Sequence, residues 1–136
     1  MVISFREALS SGKLLIYDGG FGTELFALGV DLPNSSLANE FRQDAVRRVT
    51  ASFIEAGSEI VQTNTFVASP LHLRMAGRDA DNTRPIVSSG VRLARDAIMG
   101  SGRSIYISGS MGPSPGAIET DAGDTSFGIP NLQVRE

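Results

Sequence analysis

Asp18-Gly19-Gly20-Phe21-Gly22-Thr23-Glu24-Leu25 is the stretch on which the reading of this chain turns. It follows a short apolar run, Leu14-Leu15-Ile16-Tyr17, which has the length and composition of a buried strand. The glycines at 19, 20 and 22 let the backbone turn tightly and approach whatever lies above the strand end. Asp18 stands at the carboxyl end of that strand, the edge where ligands bind in parallel α/β proteins. Two later stretches repeat the layout of an apolar strand followed by small and polar residues. They are Gln62-Thr63-Asn64-Thr65-Phe66 and Ser108-Gly109-Ser110-Met111-Gly112-Pro113. Three strand ends with the same chemistry point to one shared site.

The segments between them have helical character. Phe5 to Leu9 reads as a short helix stopped by Gly12, and Thr23 to Leu28 as another stopped by Gly29. Val30 to Asn39 has loop composition. The next helix takes Asp44 as N-cap and carries Val46, Val49, Phe53 and Ala56 on one face, with Gly57 at C′. A strand at 58–63 follows. Ser69-Pro70 then opens a short helix closed by Gly77. A longer helix starts at Asp81 or Asn82, with an apolar stripe of Val87, Val91, Ala94 and Ile98 and a stop at Gly100. Gly90 inside it costs up to about 1 kcal/mol relative to alanine. A third strand covers 104–107, and Gly, Pro, Ser and Asp dominate from Ser108 onward. Strand–helix–strand–helix–strand predicts right-handed crossovers and a parallel sheet.

Composition narrows the function classes. The chain has 136 residues, 41% of them hydrophobic and 20% charged, which suits one domain with a modest core. A net charge of -3 speaks against nucleic acid as a partner. No apolar run nears the roughly 20 residues of a membrane span, and no signal peptide is recognisable, so a cytoplasmic location is expected. There is no cysteine and a single histidine, His72, so neither a thiolate nucleophile nor a His/Cys metal site is expected here. His72 reads as a surface residue and Met111 as packing. Phe66 reads as core or pocket wall. Arg47, Arg48, Arg92 and Arg95 read as solvated.

Taken together, the Asp18–Leu25 stretch, Ala56-Gly57 leading into Thr63-Asn64-Thr65-Phe66, and Gly109-Ser110-Met111-Gly112-Pro113 resemble the homocysteine S-methyltransferase family. That family includes betaine–homocysteine methyltransferase and the homocysteine-binding module of methionine synthase. The similarity runs from about residue 5 to 128. It departs at Thr50, where the family often has histidine. The resemblance implies a (β/α)8 TIM barrel, which typically needs about 250 residues. The expectation is therefore the N-terminal portion of such a barrel, about three parallel strands with flanking helices. Residues 1–136 would form a single partial domain, with 114–136 mostly loop.

The resemblance also implies methyl transfer to the homocysteine thiol, giving methionine. A free thiol has a pKa near about 8.5, and family members bind the sulfur to zinc as thiolate. The family's zinc ligands are cysteines of later strands, absent from this chain, so the chain alone is expected to be inactive. Its part would be the wall that holds the amino-acid end of homocysteine. Asp18 is the candidate partner for the substrate ammonium, or else it caps the following turn. Gly19 and Gly20 are candidates to offer N–H groups to the substrate carboxylate, or form a tight turn only. Glu24 either contributes to the pocket or only complements a helix dipole. Asn64 and Thr65, with Gly109 and Ser110, are the remaining candidate substrate-binding residues, against ordinary strand-end turn chemistry. The expected partners are homocysteine and a methyl donor, with a second copy or a complementary C-terminal barrel chain closing the open edge. Two rival readings remain. One is a non-catalytic interaction module or half of a split enzyme. The other is a small α/β domain binding phosphate at Gly19–Gly22, though the loop is not G-x-G-x-x-G and no P-loop lysine follows it.

Overall fold

The computed structural model describes residues 3–113. The loop expected over 114–136, with Pro115, Gly116 and the stretch 123–130, lies outside the described residues. The architecture is α/β with parallel pairing. Six helices are described: α1 (Phe5–Ser10), α2 (Phe21–Ala27), α3 (Ala38–Phe41), α4 (Gln43–Glu55), α5 (Pro70–Met75) and α6 (Thr83–Ser101). The strands are β1 (Ile60–Gln62) and β2 (Tyr106–Ser108).

β1 and β2 run parallel, with Ile60 opposite Tyr106, Val61 opposite Ile107 and Gln62 opposite Ser108. The segment leading into Asp18 joins the other side of β1. Tyr17 bridges Ile60, Ile60 N–H donates to the Ile16 carbonyl at 3.1 Å, and Asp18 N–H donates to the Ile60 carbonyl at 3.0 Å. This segment differs from the buried strand expected at 14–17. Leu14 is 85% exposed, and Ile16 and Tyr17 are also exposed. Its hydrogen bonds reach only toward β1, and little among the described residues covers its remaining sides.

The helix signals hold at several ends. Ser4 caps α1 in a reciprocal capping box with Glu7. Ser69 caps α5, with Pro70 in the first turn. Gly57, at φ 112°, follows α4 as a C′ residue should. Elsewhere the boundaries move. Arg42, not Asp44, is the α4 N-cap, and Asp44 sits exposed in the first turn. Ala56 lies outside α4 and is exposed, while Val46, Val49 and Ile54 form its buried face. α6 runs past Gly100 to Gly102, whose φ of 64° ends it. Its buried stripe is Ile86, Gly90, Leu93 and Ala94, so Val87, Val91 and Ile98 lie at its margins.

Part of the expected loop at 30–39 is wound. The Asn34 side chain accepts from Ser36 N–H, a 3-10 turn covers Ser35–Leu37, and α3 continues it. Asn34, Ser36 and Asn39 are buried polar residues, which is why composition alone reads the stretch as surface. α4 and α6 make the most extensive contact between described elements. Leu25, Val46, Val49 and Leu93 sit in one apolar cluster behind the sheet. Full burial of each such side chain contributes about 1.5–3 kcal/mol. Of these helices α4 packs against β1, whose carboxyl-terminal residue Gln62 is half-buried.

Candidate functional site

The three stretches singled out in the sequence meet at the carboxyl edge of the sheet. Parallel pairing brings Asp18, Gln62 and Ser108 to the same end of adjacent segments. Asp18 is half-buried there. Its Oδ2 accepts a hydrogen bond from Gln62 N–H at 2.8 Å, while its Oδ1 is buried and has no hydrogen-bond partner. Burial pushes the Asp18 carboxyl above its ordinary value, and the hydrogen bonds from Gln62 and its own backbone only partly offset that.

Gln62 ties the corners together. Its side-chain Nε2 donates to the Gly19 carbonyl at 2.8 Å, and its Oε1 accepts from Ser110 Oγ at 3.0 Å. Thr63 and Thr65 fasten the third corner from below. Ser110 N–H donates to Thr63 Oγ at 3.1 Å, and Thr65 Oγ donates to the Ser110 carbonyl at 2.7 Å. Gly112 N–H donates to the Phe66 carbonyl at 3.0 Å. A β-carbon on Gly112 would lie 2.6 Å from that carbonyl oxygen, so only glycine lets the lip run this close.

The other candidates sit as follows. Gly19 and Gly20 are exposed, and neither has positive φ. A β-carbon on Gly19 would meet the Phe53 ring at 3.1 Å, so close packing rather than a special turn accounts for it. Gly20 is the N-cap of α2 and makes no side-chain cap. Glu24 is exposed in the first turn of α2, outside the Asp18–Gln62–Ser110 network. Asn64 and Thr65 are both buried. Asn64 Nδ2 donates to the Ser35 carbonyl at 2.8 Å and to Asn39 Oδ1 at 3.0 Å, so its amide ties the wall to the loop behind it. Gly109 is exposed with open space at its α-carbon.

Several residues differ from their sequence reading. Met111 is 91% exposed rather than packed, and Phe66 is half-exposed beside Gly112. His72 is half-buried, its Nδ1 2.7 Å from the Ser69 hydroxyl that caps α5. Arg47 and Arg92 both pair with Asp96, at 3.5 and 3.7 Å. Gln62 and Thr63 stand in the second stretch and are not among the residues its sequence marks as candidates. Gln62 is the last polar residue of β1, and that position is the signal that marks it. A groove of about 640 Å³ between α4 and α6 contains none of the candidate substrate-binding residues. Two of its three arginines are engaged locally, Arg47 by Asp96 and Arg103 by the Ile54 carbonyl.

The chain has no cysteine, and His72 Nδ1 is occupied by Ser69. Among the described residues no three His, Asp or Glu side chains come together. This donor set does not fit zinc. Among the described residues no helix is long and apolar enough to cross a membrane.

A family model described as homocysteine S-methyltransferase matches residues 15–134. Methionine synthase of Mycobacterium tuberculosis (strain ATCC 25618 / H37Rv) is 32% identical in an alignment 114 residues long that covers 76% of this chain and 9% of that protein. Homocysteine S-methyltransferase of Escherichia coli (strain K12) is 26% identical in an alignment 117 residues long that covers 79% of this chain and 38% of that protein. The crystal structure of the homocysteine methyltransferase MmuM from Escherichia coli, in its metallated form, is similar with a TM-score of 0.68 and 25% identity. That match covers 78% of this chain and 40% of the other. The chain spans two-fifths or less of the length of these relatives.

Proposed function

Because the chain belongs to the homocysteine S-methyltransferase family, we propose that it forms the first part of a (β/α)8 barrel and holds the amino-acid end of homocysteine during methyl transfer. One observation carries the reading. Asp18 Oδ1 is a buried carboxylate oxygen without a partner, at the point where three strand ends meet. A buried acceptor left unpaired costs roughly 1–3 kcal/mol, so a ligand donor placed there recovers that energy. The α-ammonium of an amino acid is such a donor, and its charge also favours the ionised carboxylate.

In this reading Gly19 and Gly20 turn their backbone toward the substrate carboxylate, and Ser110 with Gly109 closes the opposite side. Asn64 and Thr65 act from below, fixing the wall rather than reaching the ligand. Glu24, exposed in the first turn of α2, complements that helix's dipole. In the reaction the sulfur forms a bond to the donor's methyl group as the bond from that methyl to its donor breaks. The bonding pair leaves with the donor, and the thiol proton passes to a base. The residues of this chain bind and orient the acceptor. Zinc does not fit them, so activation of the sulfur falls to residues outside this chain, and the chain alone is inactive.

The open sheet favours an accompanying assembly. Leu14, Ile16, Tyr17 and Ile107 are exposed apolar residues on or beside its outer segments. A complementary barrel chain or a second copy would cover them.

Calorimetric titration tests the binding claim. Homocysteine should bind the chain with or without zinc at equal affinity. The analogue 4-sulfanylbutanoate, which lacks the ammonium, should bind at least tenfold more weakly. Equal affinity for the two thiols contradicts the assignment of Asp18, and strictly zinc-dependent binding contradicts the assignment of the metal to another chain.

A further inference from the structure

We propose that Gln62 is the positioning residue of this site, the single side chain that sets the acid corner and the Ser110 lip at a fixed separation. The inference rests on the substrate reading above only for what the site binds, not for how it is held. Asp18 and Ser110 have no direct hydrogen bond to each other among the described residues. Both bond to Gln62, the first through the backbone N–H at 2.8 Å and the second through Oε1 at 3.0 Å. The same amide donates Nε2 to the Gly19 carbonyl at 2.8 Å. A primary amide has both donor hydrogens and an acceptor oxygen on one rigid plane. It therefore serves a carbonyl on one side and a hydroxyl on the other at once, which a carboxylate or an apolar side chain cannot do.

The backbone explains why position 62 has this role. Gln62 is the final residue of β1, the middle segment, with Tyr17 bridged on one flank and β2 on the other. From there a side chain reaches both neighbouring strand ends. The lip has its own fastenings to Thr63, Thr65 and Phe66, so it stays attached without Gln62. What Gln62 adds is the link to the acid corner. The backbone N–H of Gln62 engages Asp18 Oδ2, which leaves Oδ1 as the free oxygen, and the side-chain amide tethers the adjoining Gly19 carbonyl to the Ser110 lip.

The test is Gln62→Met, which keeps the length and the backbone N–H but removes the amide. Asp18 is observed through its carboxyl carbon by NMR, first without ligand across a pH titration and then with homocysteine at neutral pH. In the variant the Asp18 titration should move further above the ordinary carboxylate range, because the amide N–H held at the adjoining Gly19 carbonyl no longer lies beside the ionised form. Homocysteine affinity should fall at least tenfold with little change in Tm. Gln62→Glu should move the titration the same way by adding a like charge. An unchanged Asp18 titration in both variants overturns the proposal, and so does unchanged homocysteine affinity in Gln62→Met. If the titration moves but homocysteine binds neither wild type nor variant, the link through Gln62 stands and the substrate reading falls.

Discussion

Asn39 lies so close over Gly90 that a β-carbon there would be 2.7 Å from Asn39 Nδ2. The same β-carbon would be 2.9 Å from Thr65 Cγ2. α6 therefore approaches the wall of the site at Gly90, where it has no side chain. Helix propensity alone favours alanine there by about 1 kcal/mol. The contact reverses that preference. Gly90→Ala should destabilise the chain by about 1–3 kcal/mol in denaturant unfolding, as overpacked cores do.

Asn39 is itself fully buried and fully used. Its Nδ2 donates to the Asn64 carbonyl at 2.7 Å and to the Ile86 carbonyl at 3.1 Å, and its Oδ1 accepts from Asn64 Nδ2. Asn39→Ala strands two buried carbonyls and should cost about 2–4 kcal/mol. Paired with Gly90→Ala it should cost less than the sum, because the clash partner is gone. Strict additivity in a double-mutant cycle would separate the two sites energetically.

Asp18 and Glu59 should shape the pH dependence in opposite senses. Burial raises Asp18 above its ordinary value of 3.8. The folded state then holds that proton more tightly than the unfolded state. The resulting stability is present below the unfolded pKa and is lost as pH rises through the raised folded one. Hydrogen bonds from Lys13 and from Ile16 N–H lower Glu59, so its contribution is present above its ordinary value and fades as pH falls through the lowered one. Asp18→Asn should therefore raise stability at neutral pH, by less than about 1 kcal/mol for a half-exposed carboxylate. Denaturant melts across the acidic range should show a shallower fall with rising pH in that variant. The same substitution should remove homocysteine binding, a gain in stability at the expense of the site.

Gly112→Ala should act locally. Its β-carbon would meet the Phe66 backbone oxygen, so the lip and not a flexible side chain must shift. Hydrogen exchange at the Gly112 and Ser110 amides should rise about tenfold or more, while global unfolding changes little. Unchanged protection at both amides would show that the lip is not pinned at Phe66.

Much of this was legible in the residues. Glycines and capping serines marked helix ends because backbone rules are local: Gly12, Gly29, Gly57 and Gly77 all have positive φ. The meeting of the Asp18, Gln62 and Ser110 corners followed from the strand–helix order, which forces parallel pairing. Burial was harder to read. Leu14 and Ile16 look like core residues, yet what covers a strand depends on its neighbours, and few of the described residues flank them. Asn39 and Ser36 look like surface, yet they are buried because each finds partners distant in sequence. The role of Gln62 was missed for the same reason, since its partners come from segments more than 40 residues away on either side.

The central claim is that the free oxygen of Asp18 receives the ammonium of homocysteine. The most direct measurement is the carboxyl-carbon NMR shift of Asp18 during a homocysteine titration at neutral pH. The account predicts a saturable shift of that signal with homocysteine and none with 4-sulfanylbutanoate at the same concentrations. An Asp18 signal that stays still while homocysteine binds elsewhere on the chain would contradict it.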